Sequence, residues 1–417
     1  MPGAAWKVGL LSTLYFSQGL PFGFFTQALP VLLRKEGYSL EEVGLSSLLA
    51  IPWAGKFLWA PLVDRYGWAR FGRRRSWIVP LQLLMVLTLV AIALRPPGAS
   101  LRPLLVAVFF TNLLAATQDI ATDSLAVDML RPSERGLANG VQVAGYRLGM
   151  IVGGGALLIL FDRLGWSATF AGMALAVVLA SGPILLARER ALTHGDAAGD
   201  EPAAPPPAAH FFSRPDAWRI LGLLTVYKLG EAFAAGMLRP FLVDIGLTLG
   251  EIGWLLGTVG FVAGLAGALA GGALVNPLGR RRALLLFAAL QAVSVAGYAA
   301  LAALTLSGGA PGRGLLYAVC AAEHFASGMA TAALFTLMMD WSRPGASATD
   351  YTVQASAVVV ATGAAAAASG FSAQALGYAG HFFAATALAV FAPVAASRFF
   401  PPGAASPRGA GEPAAPA

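Results

Sequence analysis

A single cysteine, Cys320, stands in 417 residues, and it lies inside an apolar run. No intrachain disulfide can form, and no cysteine-rich metal site can be assembled. With only 4 histidines, no nucleophile with a His partner and no metal-ligand set recurs at usable spacing, so enzyme chemistry finds little support. Charge is also scarce: 12% of residues are ionisable Asp, Glu, Lys or Arg, against roughly 25% in soluble globular chains. What is abundant is hydrocarbon. Hydrophobic residues make up 57% and the mean hydropathy is +0.69, which describes a polytopic membrane protein whose chain divides into spans of about 20 residues. The net charge of +7 sits in the short turns between apolar runs, where it sets topology, and no aromatic and basic groove pattern points to nucleic acid. The apolar run after Lys7 continues past Gln18 and Pro21 to about Leu33 without an Ala-x-Ala-like end. It reads as a first span, not a cleaved leader. The expected surroundings are a lipid bilayer and a small-molecule substrate, with no nucleic acid, no cofactor, no metal and a monomeric working unit.

Apolar runs between turn and charge clusters predict twelve helices in two sets of six. The first half covers 1–187 and the second 218–398. Between them, 188–217 is rich in Pro, Ala and charge and reads as a loose linker; 399–417 has the same character. Basic residues in the even-numbered turns and termini outnumber those in the odd-numbered turns by about three to one, which predicts that both termini and the linker are cytoplasmic. The halves also repeat each other. Asp64 ahead of GRRR corresponds to Asn276 ahead of GRRR; Asp128 with Arg131 and Pro132 corresponds to Asp340 with Arg343 and Pro344; Gln142 corresponds to Gln354, each pair offset by the same 212 positions. Parallel six-helix repeats resemble the major facilitator architecture, an all-α membrane fold with substrate bound near midplane between the halves.

Ionisable residues inside the spans are costly and mark tasks. Asp119 and Asp123, four apart, share a face of the fourth helix, and Arg147 in the fifth lies at the same depth, roughly 16 to 18 Å up by helical rise. The expectation is an acid and guanidinium cluster, either the coupling site of a proton-driven carrier or a static ion pair. Gln118 and Tyr146 neighbour it in sequence. Gln18 and Gln27 are candidates for the cavity wall, and Lys56 either lines the cavity or snorkels to the cytoplasmic face. In the seventh helix, Lys228 and Glu231 are three apart, so they form an intrahelical pair or present Lys228 to an anionic cargo. Glu323 and His324 in the tenth offer a titrating or a satisfied buried pair. Arg239 and Asp244 look like gate or interface residues. Gly145, Gly149, Gly153, Gly260 and Gly264 read as close-packing positions.

The loop DRYGWARFGRRR resembles the major facilitator signature: Asp64 at a helix end, with Arg65, Arg73, Arg74 and Arg75 after it, can bridge helices in one state and release them in another. The plain alternative for the arginines is a positive-inside anchor. Because the second copy has Asn276, any charge latch is expected only in the first half. YFSQGLPFG, PWAGKFLWAPLVDR, QDIATDSLAVD, ERGLAN and GYRLG are similar, in order, to the AmpG-like permeases of that superfamily, a branch that includes siderophore permeases and acetyl-CoA transporter-like proteins. YKLGEAFAAGMLRPFLVD and TDYTVQAS extend the likeness into the second half, on the siderophore-permease side. The resemblance implies proton-driven import of a bulky polar solute, an anhydro-muropeptide or a ferric siderophore, across the bacterial inner membrane. A non-transporting receptor or scaffold, or an exporter of small organic compounds, is the competing reading.

Overall fold

The computed structural model describes residues 4–29, 49, 51–68, 70–95, 102–187, 209–343 and 345–400, and within them the chain is nearly all helix. Helix α1 is Ala4–Gly23, continued by a wide π-helical turn, Phe24–Ala28. The described part of α2 runs through Ile51–Gly55, a tight turn Lys56–Leu58 and Ala60–Arg65. Then come α3, Arg75–Leu94, and α4, Arg102–Met129. Pro132–Ile151, a wide turn Val152–Ala156 and Leu157–Leu186 follow without interruption until Gly165 (φ 75°), which divides α5 from α6. Helix α7 is Ala217–Tyr227 and Leu229–Asp244, broken at Lys228; α8 is Leu249–Ile252, Gly253–Val259 and Gly260–Leu278. The rest are α9, Arg280–Leu306, α10, Arg313–Asp340, and Ser347–Phe399, which Gly377 (φ 67°) folds into α11 and α12. At Gly165 and Gly377 the left-handed backbone excludes a Cβ without strain. Eight of these helices are long and apolar enough to cross a bilayer, counting Ser347–Phe399 once.

The even-numbered turns and both ends of the described chain meet at one arginine-rich face. Arg75 donates to Leu185 O at 2.5 Å and Lys7 to Met129 O at 2.8 Å, which ties α3 to α6 and α1 to α4 there. At this face a single apolar core runs through both halves, from Leu10, Ile120 and Ala138 to Val275, Phe287 and Leu337. Toward the opposite face the core divides in two: Phe24, Leu89 and Phe170 belong to the first half alone, Phe241, Leu255 and Phe382 to the second. The halves are therefore joined at one end and parted at the other.

Glycines allow the join. A methyl group at Gly149 or Gly153 would overlap the α1 backbone at Phe16 or Leu20, and one at Gly272 would overlap Gly136 across the halves. Only a residue without Cβ admits backbones so close. Gly253 and Gly257, farther along α8, meet nothing, so α5 and α8 diverge away from the arginine-rich face.

Composition misled at one place. The end of the expected loose linker is packed: Phe211 is fully buried, and Arg214 donates to Trp341 O at 2.8 Å and pairs with Asp350 at 3.4 Å. An aromatic residue beside arginine has a partner here that an averaged Pro and Ala content hides. The remaining linker residues, 188–208, and the tail from 401 lie outside the described residues.

Candidate functional site

A cavity of about 1270 Å³ fills the space between the halves. Tyr15, Lys56, Asp119, Asp123, Gln142, Tyr146 and Tyr351 line it, together with Arg147 and His324. The two aspartates share one face of α4, as their spacing predicts, and are nearly buried. Lys56, at the tight turn of α2, forms an ion pair with Asp119 and lies 5.6 Å from the Trp53 ring centroid. Asp123 accepts hydrogen bonds from Tyr15 Oη at 2.7 Å and Gln142 Nε2 at 3.4 Å. Burial of charge is compensated here by a lysine and neutral donors.

Arg147 is not the partner of these acids. Depth was read correctly, but azimuth decides: Gln142 faces Asp123, and five further residues carry Arg147 through about 140° around α5, onto the second half. Its guanidinium rests against Gly264 of α8, in the field of Glu231 and Glu323. Tyr146, four residues from Gln142, stays on the cavity side and packs on Phe22 with centroids 5.8 Å apart.

Other expected cavity residues lie behind the wall. Gln18 and Gln118 are fully buried within the first half, with Gln118 Nε2 donating to Ser17 Oγ at 3.2 Å. One residue of helical rotation separates Gln118 from Asp119 and turns it toward α1. Lys228 and Glu231 form the intrahelical ion pair, reinforced by Ser327 Oγ donating to Glu231 Oε1 at 2.5 Å. Lys228 is thus spent inside the second half rather than offered to a cargo. Glu323 accepts from Tyr298 Oη at 3.1 Å. His324 does reach the cavity, and its Nδ1 lies 2.9 Å from Cys320 O and 3.1 Å from Glu323 Oε2, two acceptors that place the proton on Nδ1. The Gln27 side chain lies outside the described residues.

The arginine-rich face is fastened by two related latches. Asp64, fully buried, accepts from Ala348 N at 3.2 Å, Thr349 N at 2.7 Å and Thr349 Oγ1 at 2.6 Å. The two amides are orphan donors at the first turn of α11, where the helix dipole favours a carboxylate. Arg74 joins Asp64 at 2.9 Å, Asp128 at 3.3 Å and Ser347 Oγ at 3.1 Å. Arg73 donates to Asp64 O, Arg75 stacks over Phe71 at 4.4 Å, and exposed Arg65 lies over Tyr66 at 5.6 Å. Of the loop's arginines, only Arg74 bridges the halves among the contacts described.

The second latch corrects the expectation that charge is confined to the first. Asp340 is shared by Arg280 of its own half at 2.6 Å and Arg135 of the other at 2.8 Å. Asn276 hydrogen-bonds Ser133 O and Arg280, and Arg280 reaches Pro132 O at 2.5 Å. The copy lost its Asp64 equivalent but kept its Asp128 equivalent, and the latch is built on the latter.

Residues 11–238 match the Major Facilitator Superfamily. The chain is 34% identical over 389 residues to the anhydromuropeptide permease of Escherichia coli (strain K12), covering 92% of this chain and 78% of that one. The chain belongs to the AmpG-like branch of the Major Facilitator Superfamily. A putative transporter, AmpG 4, of Rickettsia conorii is 27% identical across 89% of this chain and 91% of its own. Among solved structures, the outward-conformation facilitator transporter FucP superposes with a TM-score of 0.71 at 16% identity, covering 94% of this chain and 98% of its own. A bacterial homologue of the iron transporter ferroportin in an outward-facing state gives 0.67 at 16% identity, covering 95% and 99%.

As a multi-pass membrane transporter of this superfamily, the chain acts on a small molecule and is not an enzyme. Sequence reasoning missed Tyr15, Tyr351 and Gln142 on the cavity wall. Gln142 carried a signal, its repeat at Gln354, but a tyrosine in an apolar helix looks like any other core aromatic until its hydroxyl finds Asp123.

Proposed function

We propose that this transporter imports a bulky polar solute of the anhydromuropeptide class by alternating access, driven by the proton gradient, in the bacterial inner membrane. It works as a monomer in the bilayer, needs no cofactor, and has both termini in the cytoplasm. The observation that carries this reading is the cavity of about 1270 Å³ with Lys56, Asp119 and Asp123 on one wall. That volume exceeds the usual range of small-molecule pockets, about 300 to 1,000 Å³, and suits a sugar carrying a peptide. With the positive-inside orientation, the fastened face is cytoplasmic and the cavity belongs to an outward-facing state. Opening inward then requires Asp64 to leave the α11 terminus and Arg135 to leave Asp340. Protonation of Asp123 loosens its hold on Tyr15 and Gln142, and through α1, α4 and α5 biases the halves toward that change.

Uptake into proteoliposomes with an imposed inward proton gradient tests it. A labelled anhydromuropeptide is expected to accumulate only with the gradient, and Asp123→Asn to reduce gradient-driven accumulation at least tenfold. Accumulation independent of the gradient would sink the coupling; outward movement would make it an exporter; no flux of any solute would leave a scaffold. A ferric siderophore belongs in the same assay because of the second-half motifs, and its selective uptake would replace the muropeptide as cargo.

A further inference from the structure

The full charges around the cavity are unequally spent. Three cations, Lys56, Arg147 and Arg239, line it with two carboxylates, Asp119 and Asp123. Lys56, Asp119 and Asp123 are satisfied by one another and by Tyr15 and Gln142. Arg147 and Arg239, in contrast, make no hydrogen bond or ion pair among the described residues. The acids nearest to Arg147 are committed elsewhere: Glu231 to Lys228 and Ser327, Glu323 to Tyr298 and His324. A guanidinium is expensive to hold at membrane depth and has five donors arranged to meet a carboxylate side-on. The unspent capacity of this cavity is therefore donor capacity, in two places on the wall away from the aspartates. By a rise of about 1.5 Å per residue from the arginine-rich face, Arg239 on α7 lies roughly 10 Å nearer the mouth than Arg147 on α5.

We infer that the cargo is held through anionic groups, one at Arg147 in the depth of the cavity and one at Arg239 near its mouth. The transported solute then carries at least two carboxylates no closer than roughly 10 Å, three or more residues of extended peptide, while its sugar or other hydroxylated part faces Tyr15, Gln142 and Tyr351. This deepens the cargo reading above, and only the sugar-peptide part depends on it.

Binding to the purified full-length protein in lipid nanodiscs, read from tryptophan fluorescence, tests the inference with two probe pairs. One pair is an anhydro-sugar tripeptide with free carboxylates and its carboxamide; the other is N-succinyl-trialanine and its bis-amide. The free acid of each pair is expected to bind the wild type at least tenfold more tightly than the amide. Arg147→Gln and Arg239→Gln should each erode that preference several-fold, with amide binding changed less than twofold, and Arg147→Lys should restore part of it. Equal binding of acid and amide by the wild type overturns the inference. So does a preference that survives both glutamine variants, or a parallel loss for acid and amide, which marks a merely structural role. If only the succinyl pair shows the preference and the sugar pair does not bind, the anion sites stand and the sugar-peptide cargo falls.

Discussion

At the scale of single residues, the carboxylates of the cavity wall are each answered by a partner. Lys56 and Asp119 answer each other within the first half, and each is nearly buried. Removing one partner strands the other, which costs roughly 3–5 kcal/mol for a buried pair. Asp119→Ala is therefore expected to lower unfolding stability by that amount in detergent denaturation, whereas Lys56→Met combined with Asp119→Leu should cost less than the single change. Equal or larger loss in the double variant would mean that the pair is not the unit of stability. Arg147 teaches a related lesson about reading letters. Its depth in the bilayer follows from counting, but which neighbour it faces depends on a rotation of 100° per residue, and an uncertainty of one or two residues in helix phase changes the answer.

Helices are the next scale, and here termini and small residues govern. The start of α8 has a reciprocal cap: Thr248 N donates to Glu251 Oε2 at 2.9 Å, and Glu251 N to Thr248 Oγ1 at 3.2 Å. The backbone hydrogen bond from Thr248, more than the nearby Arg313, holds the Glu251 carboxyl below its usual pKa of 4.5. A group lowered in this way stabilises the folded end above pH 4.5 and loses that contribution as the pH falls through the lowered value. Hydrogen-exchange protection at the first turn of α8, corrected for the pH dependence of the intrinsic exchange rate, should fall on acidification through that window, and Glu251→Gln should flatten the response. In the interior, Gly149→Val would force a branched side chain into the α1 backbone at Phe16 and Gly19. Overpacking typically costs 1–3 kcal/mol, so the melting temperature should drop clearly; an unchanged value would show that α1 and α5 are free to separate.

Over the whole molecule, the division of the core bears on the proposed alternating access. One shared core at the arginine-rich face and two separate cores beyond it mean that the halves can rock only if the shared portion is exchanged for contacts at the other end. Two latches hold that portion closed, and Ser124 Oγ lies 2.6 Å from Ser347 Oγ within it. Cysteines at both places, Ser124→Cys with Ser347→Cys, are expected to cross-link under mild oxidation and stop uptake at least tenfold, with recovery on reduction. The native Cys320 is buried and leaves the background low. Undiminished uptake by the cross-linked protein would show that this face never opens.

Much of this was open to inspection in the letters. The succession of apolar helices and the carboxylates on one face of α4 follow from hydrophobic runs and helical period, because a bilayer imposes a length on each segment independently. The burial of Phe211, the second latch at Asp340, the withdrawal of Lys228 into its own half and the turning of Arg147 away from Asp123 do not. Each depends on which surfaces of separate helices come together, and the bilayer, being equally apolar on every side of a helix, leaves that choice to packing and to polar contacts between helices.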